Sequence, residues 1–222
     1  MTSVGKPIST PERLAYWYFR LNGFLTTENF IVHPDTGRNQ RTDADLLAVR
    51  FKHRAENLQR PMEDDSRIAV CDSFANVIIA EVKTGQCALN GPWTKPEEQN
   101  MNRVLKSIGC VPDDAVDGAT KSLYTRGKWC GPEAIIRLFA LGETTCPNLP
   151  ITIEQQITWD QVINFVVERF IDYQHEKSSV GQWARDGLEL RRLSLQGNPS
   201  PKIRDRFGLR RVSEEPKEPR DD

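Results

Sequence analysis

The 222-residue chain has no apolar run near the ~18 residues that a membrane-spanning helix needs. Its opening MTSVGKPISTPERLAY also lacks the apolar centre of a secretory signal peptide. Cysteine is sparse and odd in number: Cys71, Cys87, Cys110, Cys130 and Cys146, with no C-x-x-C among them. Only three histidines accompany them, scattered, so neither a zinc site nor a disulfide framework is expected. Together these absences read as a soluble cytoplasmic protein with reduced thiols and no membrane contact. Charge of one sign is missing too. The formal net charge is −1, so a polyanion partner has to be met by a local patch. No internal repeat is visible, and the length suits one domain with a sizeable core.

What is present is a set of well-punctuated elements. ISTPER offers Thr10 as a helix cap with Pro11 at the first position, or a Ser9–Glu12 capping box. Leu14, Tyr18 and Leu21 then recur at helical spacing, and Gly23 stops the run, which predicts a helix over 11–22. Phe30 to His33 reads as a short strand, PDTGRNQ as a turn, and Asp43 to Phe51 as a second strand. Residues 52–75 form a charged excursion before a third strand at 76–84. PEEQNMNRVLKSIG predicts a helix ending on Gly109, and AIIRLFALGE, 134–143, another buried strand. A long amphipathic helix starts near Thr158, and a short one follows at about 179–195. Helices alternating with strands after a hairpin-like start predict an α/β fold: a mixed sheet flanked by helices, with further helices at the C-terminal end. The expected layout is one domain over 1–211, with a core at about 10–145, a helical part at about 151–211, and a disordered charged tail at 212–222.

The chemistry concentrates in NVIIAEVKTGQ. Val77 to Ala80 read as a strand buried on both faces, yet Glu81 and Lys83 follow at once and share a face with Val77 and Ile79. Upstream, in TDADLLAVRF, Asp43, Asp45, Leu47 and Val49 share a face in the same way. If these strands pair, a carboxylate from one meets Glu81 of the other. Two such carboxylates repel unless a proton or cation joins them, and an open oxygen-rich pair suits Mg²⁺ or Mn²⁺. A neighbouring lysine adds positive charge for a phosphate or positions a water. Those parts are what metal-assisted phosphodiester hydrolysis requires. The same pattern is open to a plainer reading, in which Glu81 and Lys83 form an ordinary ion pair at a strand end.

An acidic residue on one hairpin strand and E-x-K on the next, after an initial helix, resembles the PD-(D/E)xK nuclease superfamily. It is similar in particular to the Holliday junction resolvases and their relatives. The residues that carry the resemblance are Asp45 and Glu81-Val82-Lys83, within about residues 10–145. It implies a restriction-endonuclease-like fold that cuts DNA, less often RNA, with Mg²⁺ or substituting Mn²⁺. By the resemblance, Asp45, Glu81 and the Val82 carbonyl would hold the metal, and Lys83 would orient or activate the water. Glu12 matches a first-helix glutamate of many members, Asp43 a second acidic residue, and Gln99 a glutamine on the helix after the motif. The chain departs from the pattern in its long interval between Asp45 and Glu81, and in Ala44 where the motif's proline would stand.

Gln86 lies three residues past Lys83 and is either a phosphate or water contact or a turn residue. From Gly181 to Arg211 basic residues outnumber acidic ones, and Arg185, Arg191, Arg192, Arg204 and Arg206 are candidates for gripping a phosphate backbone. A solvated helix face explains them equally. The functions in play are a metal-dependent DNase acting within a repair or anti-phage system, an RNase with the same site, and a non-catalytic module that keeps the fold. With nothing that looks like a separate sequence-reading domain, specificity would come from the 52–75 insertion, the C-terminal part, self-association or a protein partner.

Overall fold

The computed structural model describes residues 9–33, 42–56, 59–69 and 73–209. The expected 212–222 tail, Arg210 and Arg211, and the side chain of Asp43 lie outside the described residues. Helix α1 (Pro11–Leu21) opens the fold. Thr10, not Ser9, caps it, accepting from the Arg13 N–H at 3.4 Å. Its buried Leu14, Trp17, Tyr18, Phe19 and Leu21 exceed one stripe, because the helix is covered from above as well as seated on the sheet.

Six strands form one open mixed sheet: β1 (Leu25–Val32), β2 (Thr42–Phe51), β3 (Ala75–Val82), β4 (Lys128–Cys130), β5 (Ala134–Gly142) and β6 (Gln156–Thr158). The order is β1-β2-β3-β5-β4, with β6 also paired to β5. β1, β2 and β3 are successively antiparallel, β3 and β5 parallel, β4 and β5 antiparallel, and β5 and β6 parallel. The continuous apolar runs of β3 and β5 are buried at every residue, as strands covered on both faces must be. One core packs α1, α6 (Trp159–Asp172), α7 (Arg185–Ser194) and α8 (Pro199–Arg206) against Leu46, Ile78, Ala80 and Phe139. The other packs α4 (Asn100–Ile108) and α5 (Val116–Arg126) against Leu47, Val77, Ile79 and Leu138. The α/β layout with helices on both faces is therefore the one the element order predicted. Two one-turn helices, α2 (Ser66–Ala69) and α3 (Gly91–Thr94), sit before and after β3.

Several expectations shift. The strand expected at 30–33 begins at Leu25, because its polar alternation Thr26, Thr27, Glu28 hides it from an apolar reading. PEEQNMNRVLKSIG is not one helix. Pro96–Glu98 forms a 3₁₀ turn, Gln99 adopts the left-handed region at φ 54°, and α4 runs from Asn100 to the left-handed Gly109. The C-terminal part is not wholly helical, since it supplies β6. α5 went unpredicted because Gly118, Thr120 and Thr125 are poor helix formers.

α7 is fastened to α1 by a buried polar joint. Asp186 accepts from Arg13 Nε at 2.6 Å and from the Trp17 indole at 3.1 Å. Arg13 also reaches Glu28 on β1 at 2.5 Å. Gly187 makes this closeness possible, because a Cβ there would lie 2.0 Å from the Trp17 ring. Among the described residues, no helix is long and apolar enough to cross a membrane.

Candidate functional site

β2 and β3 pair from Phe51↔Ala75 to Leu46↔Ala80, and one further step of that register sets Asp45 opposite Glu81. The long excursion between these strands leaves the pairing intact, since its own α2 folds beside the sheet. Asn76 Nδ2 and Arg137 donate to the Ile68 carbonyl at the same 2.6 Å. On its other side β2 pairs with β1 up to Glu28↔Leu46, skips Asn29 and Asp45, and resumes at Phe30↔Ala44. Asn29 sits there in the left-handed region at φ 50°. The period-two alternation expected for β2 breaks at this point, because Ala44 and Leu47 both enter the second core. The register itself is unchanged across the skipped pair, so the irregularity is local to Asn29 and Asp45 and adds no residue to either strand. Asp45 Oδ2 accepts from the Val82 N–H at 2.7 Å, so a carboxylate ties the two strand ends together.

Glu81 is 1% exposed, and both its oxygens are engaged. The Lys83 ammonium donates to Oε1, and the Trp93 indole donates to Oε2 at 2.8 Å. Burial pushes the Glu81 carboxyl above the ordinary carboxylate range, and the charge of Asp45 pushes the same way. Lys83 and Trp93 pull against both. Lys83 leaves the sheet at this point. Its N–H donates to the Leu141 carbonyl at 2.9 Å, and its carbonyl accepts from the Trp159 indole at 3.0 Å. Its ammonium end remains partly exposed. Trp93 was not foreseen as part of this site. It lies in α3, a turn with nothing periodic about it, so no sequence signal marks it. Tyr124 braces that turn, its hydroxyl donating to the Pro92 carbonyl and accepting from the Met101 N–H, both at 3.1 Å.

Of the accessory candidates, Glu12, Gln86 and Gln99 do not gather here. Glu12 lies in the first turn of α1, the helix that packs on the opposite face from Val77 and Ile79. Asp43 sits in β2 opposite Ile31 by its backbone, and its side chain lies outside the described residues. Gln86 is exposed and donates to the Thr145 carbonyl at 3.1 Å, joining its turn to the loop after β5. Gln99 is exposed and precedes α4 rather than lying on it. Among the described residues, no group of three or more His, Cys, Asp and Glu side chains is placed to hold a metal ion.

The basic candidates separate as well. Arg204 is buried and pairs with Glu143 at 2.8 Å and Asp160 at 2.7 Å, so it joins α8 to α6 rather than meeting solvent. Arg192 pairs with Glu189 at 2.6 Å, Arg206 lies 3.6 Å from the same carboxylate, and Arg191 donates to the Gln174 carbonyl. Arg185 is exposed at the start of α7.

No protein-family model, curated protein or solved structure matches this chain.

Proposed function

We propose that this protein is a metal-dependent nuclease of the PD-(D/E)xK type with a restriction-endonuclease-like fold, acting on DNA. One observation carries the reading: the β2–β3 register sets Asp45 opposite Glu81, with Lys83 on the Glu81 carboxylate at a strand end. The donor set suits Mg²⁺ or Mn²⁺. Hard cations of this size are commonly held by one or two carboxylates and keep several waters, so a third acidic side chain is not required. Burial and the charge of Asp45 both disfavour ionised Glu81, a strain that a cation between the two carboxylates would relieve. Asp45, Glu81 and the Val82 carbonyl would hold the ion, which when bound polarises a phosphate and acidifies water.

The rest of the work falls to the chain itself. Val82 N–H fixes one oxygen of Asp45, and Trp93 fixes one oxygen of Glu81, so each carboxylate keeps a set orientation. Lys83, anchored through its backbone on both sides, places an ammonium beside Glu81, where it would counter negative charge developing on a phosphate. The specificity of cutting would come from the 52–75 insertion, the C-terminal part, self-association or a protein partner.

One observation favours a second reading, a non-catalytic module on the same fold. Both Glu81 oxygens already have partners, so the carboxylate is satisfied without any ion. The test separating the two is incubation with plasmid, linear duplex, single-stranded DNA and RNA, with Mg²⁺, Mn²⁺ or EDTA, beside Lys83→Ala. The nuclease reading expects cleavage of DNA that EDTA and Lys83→Ala both abolish. Cleavage that survives either change overturns the mechanism, cleavage confined to RNA reassigns the substrate, and no cleavage favours the module.

A further inference from the structure

At the outer edge of β5, away from Asp45 and Glu81, the sheet is interrupted. β4 covers Ile135 to Arg137, and β6 covers Ala140 to Gly142. Between them, among the described residues, no strand pairs with Leu138 on this edge. Its N–H donates to the Gly127 carbonyl at 2.8 Å, and the Gln155 amide bridges the Leu138 and Gly127 carbonyls at 2.8 and 2.7 Å. Beside this side-chain plug lies a cleft of about 1110 Å³. That is large enough for a small-molecule ligand, for which pockets of roughly 300–1,000 Å³ are usual.

The cleft is cationic in a chain of net charge −1. Arg67, Arg126, Lys128 and Arg137 line it, against the one carboxylate, Glu154, that the described residues place in the lining. The inner pair is fixed in place: Arg67 is held by Asp65, and Arg137 donates to the Arg67 and Ile68 carbonyls at 2.8 and 2.6 Å. The outer pair is exposed. Arg126 donates to Ser122 Oγ at 2.9 Å, and among the described residues neither Arg126 nor Lys128 pairs with a carboxylate. The rest of the lining is mixed: Trp129, Leu149 and Ile151 form an apolar wall, beside the polar Ser122, Thr125, Thr152 and Gln155. Like-charged side chains gathered round a concave wall repel one another unless an anion joins them.

We propose that this cleft binds a mononucleotide, the cations taking the phosphate and the apolar wall taking the base. The proposal is independent of the nuclease reading, because it concerns binding at the other edge of β5 and is measured without cleavage. The test is calorimetric titration of the full chain with AMP, GMP, CMP and UMP, followed by the matching nucleoside and inorganic phosphate. A doubly charge-reversed Arg126→Glu/Lys128→Glu variant is titrated alongside, its fold checked by circular dichroism. Both residues are exposed, so the reversal leaves the core alone. The expected result is one site per chain for at least one nucleotide. Its affinity should fall fivefold or more in the variant and be at least fivefold above that of nucleoside or phosphate alone. Absence of binding by all four nucleotides, a smaller loss in the variant, or equal affinity for either fragment overturns it.

Discussion

Replacing Trp93 by phenylalanine removes one hydrogen bond and part of a buried ring. Both rings are apolar and flat, Trp93 is 1% exposed, and the lost donor meets a carboxylate that is equally buried. A hydrogen bond to a charged group is worth about 1.5–3 kcal/mol, against about 1 kcal/mol for a neutral one. The smaller ring adds a cavity term of its own, so a single variant mixes two effects. A double-mutant cycle with Glu81→Gln separates them, since the cavity term recurs in both arms and cancels. Because the amide oxygen introduced by Glu81→Gln still accepts from the indole, we expect a coupling energy of about 0.5–2 kcal/mol in urea unfolding, the difference between a charged and a neutral acceptor. Without the indole, burial pushes the carboxyl still further upward, so the variant should also hold Mn²⁺ more weakly. A loss of ~1.4 kcal/mol corresponds to about tenfold in affinity. Coupling below about 0.5 kcal/mol, with Mn²⁺ affinity unchanged, would refute the claim that Trp93 orients Glu81.

Three further outcomes follow from the packing. Gly187→Ala forces a methyl into the Trp17 ring, and overpacking of that kind costs about 1–3 kcal/mol, read as a lower urea midpoint. Arg204→Ala strands Glu143, while Asp160 stays solvated, so thermal stability should drop while affinity for a DNA duplex stays within about twofold; a selective loss of DNA affinity would restore Arg204 to the binding candidates. Burial pushes the Asp186 carboxyl upward, but hydrogen bonds from Arg13 and Trp17 outweigh it and hold it below the usual range. A carboxyl depressed in the folded state lends stability above its unfolded value of about 3.9 and loses it as the pH falls further. Asp186→Asn should therefore flatten the acid limb of the stability curve, and an unchanged limb would place the acid sensitivity elsewhere.

How far the sequence could be read depended on what each signal reports. VIIA and AIIRLFAL announce strands buried on both faces because nothing solvated interrupts them, and β3 and β5 lie where that implies. The capping chemistry of Thr10 and Thr158 marks two helix starts because a side-chain oxygen must satisfy the first free N–H groups. Pairing of Asp45 with Glu81 was legible only as a condition, since composition does not reveal whether a long insertion preserves register. Trp93 and Gln155 were not legible at all. Each acts through a contact with a residue well separated in sequence, and neither contact leaves a period or motif behind. The basic segment misled in Arg204 for a related reason: clustered arginines look alike in sequence whether they face solvent or a buried carboxylate.

The central claim is that Asp45 and Glu81 jointly hold a divalent cation, and anomalous diffraction from a crystal soaked in Mn²⁺ tests it most directly. The account predicts one strong peak bonded to carboxyl oxygens of both residues, with the Lys83 ammonium displaced from Glu81 Oε1 and the Trp93 indole still on Oε2. A crystal with no peak there, and Glu81 still held by both Lys83 and Trp93, would contradict it.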